Sequence, residues 1–405
     1  MISSQTANEI IERRACITGV GQSDIGRRLL RDPLELTLDA CLAAIDHAGL
    51  TTGDIDGLAT YPGPMSTPAG FSGAGAYEVM DALRLNCGWY SGGLETSGQL
   101  GSVINACLAV ASGLANHVLC FRSVWEGSAQ GAQGRSAVMP GGGGGSFKAS
   151  GFMEWSLPFA APSAAIWIAQ FAQRHFHLYG TTKEQMGWIA INARRNAALN
   201  PKAIYTDPMS MDDYLNARMI TTPFGLFDCD APCDGATAMI VSRVERAQDL
   251  RNPPLRVEAV GSAIHGRPSW DQFDDLSTMP SRDAGAQMWS RTDLKPSDVQ
   301  MLQAYDGFTF LTMSWIEALG FCKVGESGPF IEGGTRIARD GELPLNTHGG
   351  QLSGGRLHGY GFLHEAATQM WGQAGARQIE GNVEVGAVAA GGGNTCGCLL
   401  LVKDT

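Results

Sequence analysis

The chain has 405 residues, of which 44% are hydrophobic and 17% charged, and its formal net charge is −11. Such a composition can bury a large core, which excludes a disordered protein, and the length predicts two domains or two fused halves. The negative charge argues against a nucleic-acid-binding protein, which would carry a basic face.

The start of the chain lacks the apolar segment of a secretory signal peptide, and the longest apolar stretches are too short to span a membrane. We therefore expect a cytoplasmic protein whose ten cysteines stay reduced. Two close pairs, Cys229 with Cys233 and Cys396 with Cys398, have the spacing of half a zinc site. Because no further His or Cys completes either pair at a recognisable spacing, the sequence predicts buried thiols and no metal.

The first predicted elements are a buried strand over 15–20, a helix over 32–48, and an acidic turn followed by a strand over 54–61. A helix over 102–114 and a strand over 118–121 follow. This alternation predicts an α/β protein with mostly parallel sheets covered by helices.

The same order of elements returns in the second part of the chain. A strand is predicted over 255–260, a helix over 282–291, an acidic turn and strand over 298–305, a helix over 362–371, and a strand over 385–390. The two acidic turn–strand segments have equal length. The sequence therefore predicts a two-fold internal repeat of a strand–helix–strand unit.

The repeat divides the chain into an N-terminal half, residues 14–250, and a C-terminal half, residues 251–405. The N-terminal half includes a segment of about 123–222 that is rich in Gly, Trp and Phe and contains the run Gly141 to Gly145. Glycine runs are typical of mobile loops. We interpret the segment as a loop insertion that covers the functional site.

Four segments, in a fixed order between about residue 14 and the end, carry a resemblance to a known family. Each is weak alone, since glycine-rich turns are common, but all four in order are specific. They are Asp234-Gly235-Ala236-Thr237-Ala238, Tyr305-Asp306-Gly307-Phe308, the Asn-Thr-His-Gly-Gly-Gln-Leu-Ser-Gly-Gly stretch at 346–355, and Gly391-Gly392-Gly393-Asn394. The chain resembles the thiolase superfamily, in particular its lipid-transfer-protein branch.

The resemblance implies a thiolase fold, with duplicated halves in a five-layer α-β-α-β-α arrangement. It also implies a homodimer that pairs through an edge strand and helices beside the nucleophile turn, expected here at Cys107 to Phe121 and its neighbours. Catalytic thiolases use a nucleophilic Cys, an Asn or His, a Gly-His-Pro histidine and a second Cys. The resemblance carries these four positions onto Glu95, Tyr305, Arg356 and Ala389. Because 94–101 contains no Cys, no thiolate can form the usual acyl-enzyme there.

Within the superfamily, the sequence looks most similar to the steroid side-chain-cleaving aldolases, which also replace thiol chemistry with tyrosines. Their Tyr-Asp-x-Phe segment stands here at 305–308, and their Gly-Gly-Gln-Leu-Ser-Gly-Gly-Arg-Leu-His-Gly segment at 349–359. This similarity implies retro-aldol cleavage of a steroid-type β-hydroxyacyl-CoA to a ketone and a short acyl-CoA, with Tyr305 and Tyr360 as catalytic residues. It also implies a small OB-fold, zinc-ribbon partner that helps to hold the CoA ester. No cofactor is expected, because coenzyme A is part of the substrate.

A retro-aldol step needs a base for the hydroxyl proton, a group that stabilises the thioester enolate, and an acid for the α carbon. A phenol has a pKa of about 10, so a tyrosine base needs a lowered pKa or a proton relay. Arg356 or a helix N-terminus would lower that pKa, and backbone amides of the turn at 391–394 would receive the enolate oxygen. The residues expected to contact the substrate are Glu95, His348, Arg356, His358, Gly392, Gly393 and Asn394.

Structural alternatives stand beside these roles. Tyr305 fits a core aromatic residue, Glu95 a helix cap, Arg356 a solvated surface charge, and the two histidines turn residues. Asp306 is expected only to accept a hydrogen bond at the strand end. Two other functions also stay open: an acyltransferase or thiolase with a displaced nucleophile, and a non-catalytic acyl-CoA-binding subunit. The missing cysteines disfavour the first, and the tyrosine positions disfavour the second.

Overall fold

The computed structural model describes residues 10–64, 69–93, 96–131, 153–264, 275–393 and 395–403, which form eleven strands and twelve α-helices. The strands are β1 (Ala15–Gln22), β2 (Gly57–Thr60), β3 (Trp89–Gly92), β4 (His117–Trp125), β5 (Met219–Thr221), β6 (Phe224–Gly225), β7 (Asp234–Arg243), β8 (Leu255–Ile264), β9 (Met301–Ala304), β10 (Val385–Gly391) and β11 (Thr395–Lys403). The α-helices are α1 (Pro33–Ala48), α2 (Ala76–Leu83), α3 (Gly101–Ala111), α4 (Glu126–Gln130), α5 (Met153–Ser156), α6 (Ala164–Tyr179), α7 (Lys183–Ala197), α8 (Met211–Leu215), α9 (Ser281–Trp289), α10 (Thr309–Ala318), α11 (Ser327–Ile331) and α12 (Tyr360–Met370).

The two halves repeat one strand order, which confirms the predicted internal repeat. β2 lies parallel to β4, β4 antiparallel to β7, and β7 antiparallel to β1. In the second half β9, β10, β11 and β8 pair in the same way. The acidic turns match as well, because Asp54 accepts from the backbone amide of Thr51, and Asp298 from that of Lys295, both at 2.8 Å.

Equivalent glycines let a helix pack closely on the first strand of each half. A Cβ on Gly21 of β1 would overlap the backbone of Ala40 on α1, and a Cβ on Gly261 of β8 would overlap the backbone of Ala284 on α9. Only glycine permits so close an approach of helix to strand. The local packing of the two halves is therefore repeated along with their topology.

The sheets are mixed, and the expectation of mostly parallel sheets is wrong. β7 and β11 run antiparallel to both of their neighbours. Within the described ranges, the parallel strand pairs are β2 with β3, β2 with β4, and β9 with β10, and a single parallel bridge joins Leu302 to Leu345. The connection from β10 to β11 is only a few residues long. A parallel crossover needs about a dozen residues, so this pair can only be antiparallel.

The layers agree with the five-layer α-β-α-β-α arrangement. Helix α1 packs on β1, β4 and β7 of the first half, and α9 packs on β8 and β11 of the second. Helices α3 and α12 contact strands of both halves, so they form the middle layer. β1 and β8 pair over only two residues, which links the sheets in the order β3-β2-β4-β7-β1-β8-β11-β10-β9.

Helix ends follow the signals in the sequence. The Asp32 side chain caps α1 by accepting from the backbone amide of Leu34 at 2.8 Å, and Gly49 ends the helix in the left-handed conformation, with φ 77°. The predicted helix over 32–48 is thus confirmed to within one residue. No helix in the described ranges is both long and apolar enough to cross a membrane.

The described part of 123–222 is largely helical, which differs from the loop insertion that its glycine content suggested. Asp228 ties these helices to the second half. This buried carboxylate accepts hydrogen bonds from Tyr214 of α8, Lys183 of α7 and Thr309 of α10. The run at 141–145 lies outside the described residues, and the boundary between the halves at 250 stays a prediction.

Among the described strands, the edge of the first half is β3, which neighbours the segment Cys107 to Phe121 because it contacts α3. β4, which ends that segment, lies between β2 and β7, whereas β3 is the terminal strand and pairs with β2. Tyr90 on β3 is 64% exposed. At the opposite end β9 is covered, because the Asn346 side chain exchanges two hydrogen bonds of 2.8 Å with the backbone of Ala304. The predicted segment therefore lies beside the edge strand, and pairing of two copies there stays a prediction.

Candidate active site

Tyr305 lies where β9 ends, and its hydroxyl faces a histidine. Its backbone amide donates to the carbonyl of Ala389 on β10 at 2.9 Å, and the residue is 8% exposed. The hydroxyl lies 3.5 Å from Nδ1 of His358. A Cβ on Gly307 would lie 2.6 Å from the Tyr305 ring. The glycine of the Tyr-Asp-Gly-Phe segment therefore makes room for this phenol.

His358 lies between the phenol of Tyr305 and a buried carboxylate. Its Nε2 is 3.9 Å from Oε2 of Glu126, the first residue of α4. The backbone of His358 is left-handed, with φ 47°, and its amide donates to the side chain of Gln351 at 2.8 Å. The ring of Phe71 packs edge-on against the imidazole at 4.7 Å. The structure thus brings a predicted substrate contact into line with a predicted catalytic residue.

Arg356 is a buried ion-pair residue, so its interpretation as a surface charge is wrong. Its side chain is 5% exposed and pairs with Glu126 and, at 3.2 Å, with Oδ1 of Asp230. A buried charge needs such partners, because removal from water is costly. The positive charge is therefore paired with two protein carboxylates, and its contact with a substrate stays a prediction. In the described contacts, Arg356 is linked to Tyr305 through Glu126 and the imidazole.

Tyr360 is the first residue of α12 and is completely buried. Its hydroxyl is hydrogen-bonded to the hydroxyl of Ser102 on α3. Burial raises the pKa of Tyr360 well above its usual value, and the hydrogen bond from Ser102 and the charge of Arg122 offset only part of this effect. Tyr360 therefore holds its proton at physiological pH and is suited to donate it to a stronger base.

Arg122, near the end of β4, is a buried cation that the sequence analysis missed. Its guanidinium is fully buried and donates to the backbone carbonyls of Phe71, at 2.5 Å, and of Ser123. It lies 5.8 Å from the centre of the Tyr61 ring and 4.9 Å from that of the Phe71 ring. Cation–π contacts and carbonyl oxygens thus hold this charge in the interior.

The charge of Arg122 interacts electrostatically with both predicted catalytic tyrosines. Burial lowers the pKa of Arg122 to about 10, while Tyr61 and Glu126 and, more weakly, Tyr360 and Tyr305 raise it. A cation close to a phenol favours the phenolate. Arg122 is therefore the residue that supplies positive charge where Arg356 does not.

The glycine-rich segment wraps around Asp306. A π-helical turn spans Gly350–Gly354, and the backbone amide of Gln351 donates to Oδ1 of Asp306 at 2.7 Å. Gly350 is left-handed, with φ 58°, and a Cβ there would overlap the Asp306 carboxylate. Burial raises the pKa of Asp306 to about 7, and hydrogen bonds from backbone amides oppose the shift. The prediction that Asp306 accepts a hydrogen bond at the strand end is confirmed.

The side chain of Phe362 lies between His348 and the phenol of Tyr305. Its ring packs edge-on against Phe362 at 5.4 Å, and Phe362 packs edge-on against Tyr305 at 6.2 Å. Burial lowers the pKa of His348 to about 4. The imidazole lines an internal cavity of about 20 Å³, room for a water molecule. That cavity is also lined by His364, Glu365 and Arg377. His348 is therefore neutral, and its described ring contacts do not include a direct one with either tyrosine.

The last glycine turn is packed against α10. Gly391 is left-handed, with φ 86°, and its carbonyl accepts from the indole of Trp315 at 2.8 Å. A Cβ on Gly392 would lie 2.7 Å from the side chain of Leu311, and Gly393 is buried. The packing on α10 fixes the position of this turn.

Three predicted site segments meet at the end of β10. A Cβ on Gly98, just before α3, would lie 3.0 Å from the carbonyl oxygen of Ala390. A Cβ on Gly359, just before α12, would lie 2.9 Å from Gln99 and 3.1 Å from Ala390. The expected nucleophile turn, the start of α12 and the last glycine turn therefore lie together. Two of the predicted substrate contacts, Glu95 and Asn394, lie outside the described residues.

Cysteines in the core are poor nucleophiles. Burial raises the pKa of Cys107 and of Cys396 to about 12, and those of Cys120, Cys233 and Cys398 well above the usual value. Since the thiolate is the reactive form, these thiols are inert at physiological pH. In the part of the chain that the structure describes, no group of three or more His, Cys, Asp or Glu residues could hold a metal ion.

The residues that sequence reasoning missed are Arg122, Glu126 and Ser102. A signal for the first two was present, because Arg122 lies near the end of the buried strand β4 and Glu126 directly follows it, as Tyr305 and Asp306 follow β9 in the second half. Functional residues in α/β folds commonly lie at such strand ends. Ser102 gave no signal of its own, since it is found only through its contact with Tyr360.

Comparison with known proteins adds to this geometry. Residues 262–401 match the family described as thiolase C-terminal domain-like. A steroid side-chain-cleaving aldolase of Thermomonospora curvata is 35% identical over 98% of this chain and 99% of its own. The 17-hydroxy-3-oxo-4-pregnene-20-carboxyl-CoA lyase of Mycobacterium tuberculosis is 32% identical over 96% of this chain and 100% of its own.

A solved structure described as the Ltp2-ChsH2(DUF35) aldolase is similar along almost the whole chain. It is 33% identical, covers 98% of this chain and 99% of its own, and has a TM-score of 0.85. The duplicated halves, the tyrosines at the two site segments and these matches agree. The chain belongs to the thiolase superfamily and, within it, to the family of thiolase-like steroid side-chain-cleaving aldolases.

Proposed function

We propose that the protein is a carbon–carbon lyase that cleaves the side chain of a steroid-type β-hydroxyacyl-CoA by a retro-aldol reaction, giving a ketone and a short acyl-CoA. The observation that carries this proposal is the pair of buried tyrosines, Tyr305 and Tyr360, near the charge of Arg122. Two relatives named for a steroid side-chain or pregnene-carboxyl-CoA cleavage match almost the whole chain. Coenzyme A is part of the substrate, and the steps below call for no further cofactor.

The reaction has three steps. A base removes the proton of the β-hydroxyl group, the bond between the α and β carbons breaks so that its electron pair forms a thioester enolate, and an acid protonates the α carbon. The proton removed balances the proton returned, and no redox partner is involved. We assign Tyr305 as the base, because it lies beside His358, and Tyr360 as the acid, because burial keeps it protonated. An enolate carbon is a much stronger base than a phenolate, so Tyr360 can give up its proton to it.

The negative charge that develops on the enolate needs a positive counterpart in the site. Arg122 is the fully buried cation that interacts with both tyrosines. A fixed charge in a dry site stabilises a developing charge more than it would in water. We assign the enolate oxygen to the backbone amide of Gly393, because the amide of Gly392 already donates to the carbonyl of Thr395 at 3.4 Å and packing on α10 holds the preceding glycines in place.

An acyltransferase with a displaced nucleophile is the weaker alternative. It would need a thiolate within reach of the thioester carbonyl. The pKa of Cys107 and that of Cys396 are raised to about 12 by burial, which leaves almost no thiolate at neutral pH. The raised values favour the tyrosine-based reaction.

We also propose a partner protein and a pair of identical chains, at work in the cytoplasm. The similar solved structure is described as an aldolase with a second component, ChsH2(DUF35), which supports a small OB-fold, zinc-ribbon partner that helps to hold the CoA ester. The uncovered edge strand β3 supports pairing of two copies, since an unpaired edge offers free hydrogen-bonding groups.

The first test supplies the full-length chain, with its partner protein where one is required, with a 17-hydroxysteroid side-chain CoA ester. We expect release of a steroid ketone and a short acyl-CoA, and no thiolysis of acetoacetyl-CoA by free coenzyme A. Tyr305→Phe and Tyr360→Phe remove only a hydroxyl, so each should lower kcat by about 10²–10⁴ with little loss of fold.

Matched controls are Cys107→Ala and Cys396→Ala, which also remove one buried polar atom. Both should keep near wild-type kcat, because no thiolate takes part. If a cysteine variant lost turnover while both phenylalanine variants kept it, a displaced-nucleophile thiolase would replace the aldolase assignment. Absence of any turnover, together with tight binding of the CoA ester, would point to a non-catalytic binding subunit.

A further inference from the structure

We infer that His358 is a proton relay for Tyr305, held in one orientation by Glu126, so that the phenol works as a base near neutral pH. The inference rests on the proposed retro-aldol function and adds the groups that make Tyr305 basic. A phenol with the ordinary pKa of about 10 keeps its proton at neutral pH. A base role for Tyr305 therefore requires a neighbour that takes this proton.

The two nitrogens of the imidazole face two different groups. Nδ1 lies 3.5 Å from the Tyr305 hydroxyl, and Nε2 lies 3.9 Å from Oε2 of Glu126. A carboxylate beside Nε2 favours the tautomer with its proton on that nitrogen, which leaves the lone pair of Nδ1 directed at the phenol. The contact of Nε2 with Glu126 is an ion-pair distance, longer than a hydrogen bond, and catalytic hydrogen bonds are often long before the substrate is bound. The arrangement is analogous to a catalytic triad of nucleophile, histidine and orienting carboxylate, in which the phenol of Tyr305 takes the place of the nucleophile.

The position of the imidazole is fixed by its surroundings. His358 is 5% exposed and has a left-handed backbone, which is uncommon for a residue with a side chain. The side chain of Gln351 holds its amide, and the ring of Phe71 packs against its edge. Strained backbone kept in place by packing is typical of functional positions. A histidine that merely filled the core would not need this conformation.

The charged groups around the imidazole favour the transfer of a proton to His358 and its later release. The titratable and charged groups that face it, directly or through one neighbour, are Tyr305 after β9, Glu126 on α4, Arg356 on its own loop, Asp230 before β7, and Arg122 on β4 beyond Phe71. Glu126 stabilises the imidazolium that forms, as in other histidine–carboxylate pairs. Arg122 stabilises the phenolate that is left on Tyr360 after it gives its proton to the α carbon.

The proton path closes without any other reagent. As the substrate hydroxyl gives its proton to the oxygen of Tyr305, the phenol proton moves to Nδ1 of His358. The carbon–carbon bond breaks, and Tyr360 gives its proton to the α carbon. When the products leave, exchange with solvent removes the extra proton from His358 and restores the one on Tyr360.

The test is the pH dependence of kcat for His358→Asn, measured with the full-length chain and the same steroid CoA ester. Asn keeps a polar group near the position of Nδ1 but cannot take a proton. The wild-type rate should fall on the acid side, as the imidazole becomes protonated. The variant should lose about 10²-fold in kcat at neutral pH, the contribution of one acid–base group. Its rate should then climb about tenfold per pH unit towards the phenol range near 10.

The matched control is His117→Asn, which changes a half-buried histidine at the other end of β4. It should keep the wild-type profile. Glu126→Gln keeps the shape of the carboxylate and removes its charge. It should lower kcat at neutral pH by about tenfold and move the rise of kcat to higher pH, as His358→Asn does. This variant carries the test if His358→Asn fails to fold.

If His358→Asn lowered kcat by the same factor at every pH, His358 would be only structural. If the pH dependence of kcat matched that of the wild type, His358 would be no relay. In both cases the proposed function stands as long as Tyr305→Phe is inactive. If Tyr305→Phe also keeps its activity, the base is elsewhere and the assignment of Tyr305 fails, whereas a wild-type chain that does not cleave the steroid CoA ester would overturn the proposed function itself. The two failures are therefore distinguishable.

Discussion

At the scale of the residue, burial sets the charge state of most of the site. It raises the pKa of Asp306 and of Tyr360 and lowers that of Arg122, so each shift favours the neutral form. Glu126 and Arg356 are as deeply buried, but they form an ion pair in which each charge compensates the other. Proton transfer is therefore the natural chemistry of this site.

Asp306→Asn should make stability less dependent on pH. The pKa of Asp306 rises from about 3.9 in an unfolded chain to about 7 in the folded protein, because burial disfavours the carboxylate. The folded state then binds the proton more tightly, so this residue costs stability increasingly as pH rises from about 4 to about 7. Asn keeps an acceptor for the amide of Gln351 and cannot ionise. The free energy of unfolding, measured in denaturant at both ends of that range, checks this.

The control for this prediction is Asp249→Asn, since Asp249 is exposed. The stability of Asp306→Asn relative to wild type should improve as pH rises, and that of Asp249→Asn should not. Parallel curves for Asp306→Asn and wild type would mean that the buried carboxylate stays ionised throughout.

Whether a site residue could be predicted from the sequence depended on the segment in which it lies. Tyr305 and His358 stand in glycine-rich stretches whose residues follow a family pattern, so both were predicted. Arg122 lies near the end of an apolar strand without such a pattern, and its role depends on which rings fold over it. The partners of Arg356 come from residues more than a hundred positions away, which the sequence cannot indicate.

At the scale of the element, the π-helical turn over Gly350–Gly354 is what positions the site. Its first residues hold Asp306, and the side chain of Gln351 holds the amide of His358. The turn is possible because Gly349 and Gly350 both adopt positive φ. A segment without glycine at those positions would not bring the end of β9 and the start of α12 together.

Gly350→Ala should destabilise the protein clearly. An alanine there would overlap the carboxylate of Asp306 and would sit at φ 58°, in the left-handed region. The backbone cost alone is about 1–2 kcal/mol, and the overlap adds to it. The measurement is the free energy of unfolding, together with kcat.

Gly88→Ala is the matched control, because a Cβ at that position would meet nothing within 4 Å. It should change stability by less than about 0.5 kcal/mol. Equal stability of the two alanine variants would show that the turn can relax and that its glycine is not required.

The order of elements could be predicted from the sequence, but the direction of pairing could not. Hydrophobic periodicity marked α1, β9 and α12 to within a few residues. The mixed sheets were missed because strand direction is set by connections, such as the hairpin between β10 and β11, and not by the residues of a strand. The helices of 123–222 were missed because a glycine run dominated the composition of that segment.

At the scale of the whole molecule, the described part of the second half has no strand at the place that β3 takes beside β2. β3 extends the first half beyond β2, whereas the equivalent edge at β9 is covered by the segment around Asn346. The exposed ring of Tyr90 lies 6.3 Å from that of Tyr77 on the neighbouring helix α2. An uncovered edge with exposed aromatic side chains is the kind of surface that proteins use for association.

The last prediction concerns this edge. If two copies pair through β3, the wild-type chain should be a dimer at micromolar concentration, and Tyr90→Asp should convert it to a monomer. The change would place a carboxylate in the centre of the shared surface, where a desolvated and unpaired charge is costly. Leu30→Asp is the control, since Leu30 is also exposed, at 79%, but lies on another part of the chain. The mass in solution, from light scattering after gel filtration, decides the matter. A monomeric wild type would contradict the dimer, and a dimeric Tyr90→Asp would mean that another surface forms it.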